Sequence, residues 1–241
     1  MKQVFVDQIC DVNSRIVLNE KEAHHLFDVL RIQKKEIVRV VGANQRVYLA
    51  HPCNKPYLEI FSEIEVLNEK KDITLCVSLI KQDKFEWMLQ KACELNVTRI
   101  VPFESRYSVV HIDSQKVEKK MNRWSQILLS SCKQCNRNDL VELCNIQKIE
   151  NLHEFQSECN LVAYEKEKQS KHISKFLKNN PKSITICIGP EGGFDEAEID
   201  ILNDDHFQCV SLGKSILRAE TASLYCLAAI DYQRALEEEK E

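Results

Sequence analysis

Glycine is nearly absent from this chain. Only five occur in 241 residues, and four of them, Gly189, Gly192, Gly193 and Gly213, share one short stretch. Glycine is what a chain uses where backbone must turn with positive φ or lie flat against another group. The local text is Ile186-Cys-Ile-Gly-Pro-Glu-Gly-Gly-Phe-Asp195-Glu-Ala-Glu-Ile199, then Val210-Ser-Leu-Gly-Lys-Ser-Ile-Leu-Arg-Ala-Glu-Thr-Ala222. Two strand-to-loop transitions thus carry most of the special backbone. They mark the expected ligand site.

The pattern around them is α/β. Apolar runs at 73–80, 98–103, 160–164, 183–188 and 207–212 read as buried strands. They alternate with helical patterns at 84–95, 114–135, 171–177, 195–202 and 220–236, which predicts a parallel sheet. The first seventy residues differ. Short β-branched or alternating segments at 4–6, 15–18, 36–41, 46–50 and 57–66 suggest a small barrel. One helix interrupts them, Glu20 to Arg31, with Asn19 as N-cap. Of its two histidines, His24 and His25, one is expected in the core or capping and the other exposed, with RNA contact as the alternative. The linker is placed at Asn68–Asp72, giving domains of 1–70 and 71–241.

Composition excludes several classes. No apolar run reaches the roughly 20 residues of a membrane helix, and the N-terminus lacks a signal-peptide core. Cytoplasmic residence is the expectation. The eleven cysteines are scattered and odd in number. They read as small buried hydrophobes rather than disulfides. Cys132 and Cys135 form one CxxC without a second pair or nearby histidines, so no metal is expected. The net charge is −4, yet residues 99–137 hold Arg99, Arg106, Lys116, Lys119, Lys120, Arg123, Lys133 and Arg137 against Glu104, Asp113 and Glu118. Such a basic band suits a polyanion; a solvated helix face is the alternative.

Gly189-Pro190-Glu191-Gly192-Gly193 follows a strand, where open α/β sheets bind ligands. It is neither GxGxxG nor GxxxxGK[ST], which argues against ordinary dinucleotide and P-loop sites. Asp195 is positioned to cap the next helix, with Glu196 and Glu198 in its first turn. An acidic helix start disfavours phosphate and suits a neutral or cationic ligand. The second loop pairs an apolar wall (Leu212, Ile216, Leu217) with Arg218, Glu220 and Thr221. That is the make-up of a small-molecule pocket. A structural Arg218–Glu220 ion pair with Thr221 capping the last helix is the plainer alternative.

The segments IGPEGGF and LGKSILRAETA resemble the signature of the SPOUT methyltransferases. More narrowly they resemble the RsmE-type 16S rRNA (uracil-N3)-methyltransferases. Glu22 to Arg31, Lys84 to Val97, Arg106-Tyr-Ser-Val-Val110 and Cys132-Lys-Gln-Cys-Asn-Arg137 extend the similarity along the chain. The family usually has Glu-Gln-Cys-Gly-Arg where this chain has 133–137, and Ser-Glu-Arg at 104–106. The arginines are kept. The resemblance implies a PUA-like RNA-binding barrel followed by a trefoil-knotted SPOUT domain, acting as a homodimer. It implies S-adenosylmethionine held by Tyr164, Glu165, Gly189, Pro190, Glu191, Gly192, Gly193, Leu212, Gly213, Ile216, Leu217, Arg218 and Thr221. Arg218 or Arg106 would stabilise charge on the uracil oxygens, and Glu191 or Glu220 would accept the N3 proton. RNA contacts would come from Arg31, Arg106, Arg123, Lys133 and Arg137. The implied substrate is 16S rRNA in the small subunit. A tRNA methyltransferase, a noncatalytic RNA-binding protein and a metabolic enzyme remain as rivals.

Overall fold

The computed structural model describes residues 1–66 and 72–238. Most of the expected linker lies outside the described residues. The chain divides into two compact units, Met1–Glu69 with Cys132–Leu140, and Lys70–Ser131 with Val141–Glu241.

The first unit holds β1 (Lys2–Phe5), β2 (Arg15–Val17), β3 (Val38–Val41), β4 (Val47–Pro52) and β5 (Tyr57–Ile64). They form one sheet in the order β1-β3-β4-β5-β2. β1 runs parallel to β3, and the other pairs are antiparallel. Val4, Ile16, Val40, Leu58 and Ile60 point into a core closed by Leu26. Tyr48 is fully buried there, and its hydroxyl donates to the Cys10 carbonyl at 2.6 Å. Helix α1 (Glu20–Ala23) starts as expected, with Asn19 accepting from the Glu22 amide at 2.9 Å. It then widens into a π-turn, His24–Val29, closed by Leu30 N to His25 O at 2.9 Å. Leu26 takes the inward position in that wider turn, so both histidines are exposed and neither is in the core, while His24 stands at the C-cap position of α1. His24 Nδ1 instead lies 2.8 Å from Asp28.

The second unit is the expected parallel sheet. Its strands are β6 (Asp72–Ser78), β7 (Arg99–Glu104), β8 (Glu142–Leu143), β9 (Gln147–Lys148), β10 (Cys159–Ala163), β11 (Ser183–Ile188) and β12 (Gln208–Val210). Their order is β12-β10-β11-β6-β7-β8, with β9 also on β7. β6 and β11 are buried almost throughout, which requires cover on both faces. The helices are α2 (Gln82–Glu94), α3 (Ser114–Gln134), α4 (Ser174–Leu177), α5 (Glu196–Asp204) and α6 (Ala219–Glu238). Ile199 and Leu202 of α5 pack with Cys76, Val101, Val162 and Cys187. α6 lies on β6, β11 and α2.

Three local readings need correction. β8, β9 and the 3-10 segment Ile149–Phe155 were not expected, being too short to show a period. The helix expected at 171–177 is a 3-10 turn followed by the single turn of α4. The break arises because Lys171–Ile173 is drawn into sheet-like pairing with Ser211, through Ser211 N to Lys171 O at 3.0 Å and Ile173 N to Ser211 O at 3.1 Å. Special backbone is also less concentrated than the glycines suggest. Asn96 and Asn136 take positive φ just beyond the ends of α2 and α3, a helix-stop role that asparagine tolerates.

All eleven cysteines are free. Burial holds the Cys226 thiol up at about 12, so it behaves as a protonated hydrophobe. Among the described residues no helix is long and apolar enough to cross a membrane. Leu75 is fully buried in β6. Leu75→Ala should lower unfolding free energy by roughly 2–5 kcal/mol, read as a shifted denaturation midpoint.

Candidate active site

Three neighbouring parallel strands end at one level. Ala163 of β10 sits opposite Ile188 of β11 and Val210 of β12. The loops that leave them, from Tyr164, Gly189 and Ser211, must therefore converge. Between them lies a cavity of about 390 Å³. Tyr164, Glu165, Gly189, Pro190, Glu191, Gly192, Gly193, Leu212, Gly213, Ile216, Leu217 and Arg218 all line it. Thr221 does not: it is exposed, and Ala222, one helical step on, faces the cavity instead. Ala163, Ile188, Phe194, Ser211, Lys214, Ser215 and Ala219 also line it and were missed. Their only sequence signal is adjacency to the expected residues, Ala163 to Tyr164 and the rest to the glycine segments.

Close approach explains the central glycines. Gly193 has φ +74°, and a Cβ there would fall 2.8 Å from Glu165 Oε1. At Gly192 a Cβ would meet Tyr107 Cβ at 2.9 Å and the Tyr107 carbonyl at 3.2 Å. The loop is thus gripped by the β10 loop on one side and the 105–108 loop on the other. Phe194 anchors its end, stacked on Phe103 with centroids 6.2 Å apart.

A carboxylate clasp joins these loops. Asp195 caps α5 by accepting from Ala197 N at 3.0 Å, and Glu198 returns the bond from Asp195 N at 2.9 Å. Glu198 also accepts from Ser105 Oγ at 3.0 Å and Arg106 N at 2.8 Å. Tyr107 donates its hydroxyl to Asp195 at 2.7 Å, and Arg106 Nη1 lies 3.2 Å from the same carboxylate. Arg106 is therefore outside the cavity lining, held against the acidic start of α5. The Tyr107 hydroxyl, helped by the Ala197 amide, keeps the Asp195 carboxyl below its ordinary value, and Asp195 in turn raises the phenol.

At the second loop the local ion-pair reading gives way. Glu220 is buried, with its carboxylate 3.8 Å from Lys84 Nζ rather than directed at Arg218. Helix α6 starts at Ala219, so Thr221 lies inside its first turn and is not the cap. Arg218 is exposed at the cavity mouth, and its carbonyl accepts from Ala222 N at 2.7 Å. Among the described residues no group of three or more His, Cys, Asp or Glu is placed to hold a metal.

Residues 68–231 match the family model for an RNA methyltransferase domain. A ribosomal RNA small subunit methyltransferase E of Bacillus subtilis is 33% identical, over 90% of this chain and 89% of its own. The chain belongs to this methyltransferase E family. A relative of the same name from Mesomycoplasma hyopneumoniae is 34% identical, over 88% and 96% of the two chains. The crystal structure of the Neisseria gonorrhoeae methyltransferase E bound to S-adenosyl methionine superposes with a TM-score of 0.85. It is 27% identical and covers 96% of this chain and 97% of its own.

In this family member the basic residues singled out in the sequence have differing fates. Arg31 and Arg106 are exposed. Arg123 is forked onto Glu86 at 2.6 and 2.7 Å. Lys133 is mostly buried against Glu22, at 2.6 and 2.8 Å. Arg137 is forked onto Asp139, with 7% of its side chain exposed.

The clasp predicts a titration. Asp195 in the folded protein stays charged below its ordinary value of 3.8. The stabilisation it brings is therefore present at neutral pH and is lost as pH falls through the folded value. Tyr107→Phe removes the leading cause, so the Asp195 carboxyl should titrate closer to 3.8 by NMR; an unchanged titration would contradict the assignment.

Proposed function

We propose that this chain transfers a methyl group from S-adenosylmethionine to N3 of one uridine in the 16S rRNA of the small ribosomal subunit. The observation that carries the reading is the cavity formed where β10, β11 and β12 end. It is built by the loops that the family signature occupies. S-adenosyl methionine bound to the Neisseria relative supports the cofactor, and the relatives' names support ribosomal RNA over tRNA.

The cavity fits that cofactor chemically. Ile188, Leu212, Ile216 and Leu217 give an apolar wall for a purine ring. Backbone groups at Gly189, Leu212 and Leu217 can bond its edges and the ribose. Glu165 and Glu191 suit the sulfonium and ammonium charges, and Lys214 and Arg218 suit the carboxylate. When bound, S-adenosylmethionine supplies a sulfonium methyl open to displacement by a nitrogen nucleophile.

The residues of the chain do the rest. Uracil N3 must lose its proton as the new N–C bond forms. Glu191 lines the cavity and is exposed to it, whereas Glu220 is buried beside Lys84. Glu191 is therefore the better proton acceptor, with Arg218 and Arg106 as donors to the charge that develops on the uracil oxygens. Exclusion of water and alignment in the cavity supply further rate.

The wider reading follows the family resemblance. Residues 1–70 form a PUA-like RNA-binding barrel, for which the five-stranded sheet is the support. Residues 71–241 form a trefoil-knotted SPOUT domain that works as a homodimer in the cytoplasm, on the assembled subunit and without a metal. Arg31 and Arg106, the exposed cations of the candidate set, contact RNA, as do Arg123, Lys133 and Arg137.

Three measurements test this. In Gly193→Ala the added methyl meets Glu165 at a backbone angle that side chains avoid, so cofactor affinity by calorimetry should fall about tenfold or more. Purified protein with radiolabelled S-adenosylmethionine and 30S subunits from a strain lacking this enzyme should yield labelled 3-methyluridine in 16S rRNA. Glu191→Gln should slow that step in single turnover by about a hundredfold. Label found only in tRNA would sink the rRNA assignment, and no cofactor binding would revive a noncatalytic role.

A further inference from the structure

We propose that Glu198 is a positioning residue for methyl transfer: it sets Arg106 against the cofactor loop, so that the RNA-facing cation and the cofactor cradle act as one body. The inference rests on the reading above, in which Arg106 meets RNA.

A buried carboxylate needs partners. Glu198 is 7% exposed and has three donors. The capping box of α5 requires only one of them, Asp195 N at 2.9 Å. The other two, Ser105 Oγ at 3.0 Å and Arg106 N at 2.8 Å, come from a loop more than ninety residues away. Glu198 therefore does more than start a helix. The Arg106 backbone is fixed by Glu198, and its guanidinium is drawn to Asp195 at 3.2 Å. Both anchors stand at the start of α5, Asp195 as its N-cap and Glu198 in its first turn, shortly after Gly192 and Gly193 of the cavity wall.

The remainder of the 105–108 loop is equally tied down. Ser78 and Ser108 hydroxyls bond each other at 2.7 Å, and Ser105 N donates to Ser108 Oγ at 3.2 Å. Tyr107 packs close against Gly192, where an added Cβ would meet Tyr107 Cβ at 2.9 Å. Against this, the Arg106 side chain is 66% exposed. A fixed backbone under an exposed cation is the arrangement expected of a group that must meet an external polyanion at a set distance from the cavity. Removing the Glu198 charge leaves one carbonyl oxygen where two carboxylate oxygens served three donors, so the hold on the Arg106 amide weakens, while the cavity lining keeps all its own residues.

The experiment compares wild type, Glu198→Gln, Arg106→Ala and the double variant. Each is measured for methyl transfer to 30S subunits and for S-adenosylmethionine affinity. Glu198→Gln should raise the KM for the subunit about tenfold and leave cofactor Kd within about twofold, and the double variant should be no worse than Arg106→Ala alone. Multiplying losses in the double variant would overturn the proposal, as would a cofactor Kd that weakens in step with KM. Ser105→Ala removes a single donor. Should Glu198→Gln not fold, it should raise KM in the same direction by a smaller factor, and no change counts against the role. Amide exchange keeps the proposal separate from the functional reading. If wild-type protein labels no RNA, that reading fails, yet the Arg106 amide should still exchange faster in Glu198→Gln while the α5 interior stays protected. Unchanged exchange at Arg106 would overturn the positioning role.

Discussion

A strand buried on both faces has no water to satisfy its backbone, so each amide must find a neighbouring strand. That constraint organises the larger unit. β11 is buried almost end to end and lies between β10 and β6, with six residue pairs to β6 and five to β10. β12 then adds to the free edge of β10. Because all four strands run parallel, their C-terminal loops emerge on one side. The cavity is the consequence of that ladder, and the glycines are the consequence of the cavity.

Electrostatics then joins the loops to one another. The start of α5 carries Asp195, Glu196 and Glu198, and a helix N-terminus favours such acids. Two of them are put to a second use. Asp195 takes Tyr107 and Arg106, and Glu198 takes Ser105 and the Arg106 amide. The same charge that favours the helix start also leaves the site unsuited to a bound phosphate. It points to a ligand with cationic character, consistent with a sulfonium.

Much of this could be read from residues alone. All ten expected strands, and the helices α2, α3, α5 and α6, stand within a few residues of where periodicity put them. The cavity lining matched the glycine motifs at every expected residue but Thr221. Failures occurred where a distant partner overrode a local pattern. Ser211 pulled Lys171–Ile173 out of a helix. Lys84, not Arg218, took Glu220. Lys133, an exposed-looking cation on paper, turned to Glu22 far along the chain, whereas Arg137 met its near neighbour Asp139.

What the sequence determined by itself were the local elements, the α/β class, the place of the ligand loops and the family. Each depends on side-chain period, turn chemistry or contiguous motif, which act over a few residues. The tertiary structure alone decided that Tyr164, Gly189 and Ser211 leave the sheet at one level. It alone decided that Glu198 reaches Ser105 and Arg106. Those contacts depend on strand order, and strand order is set by which apolar faces bury one another, a choice made between residues far apart in the chain.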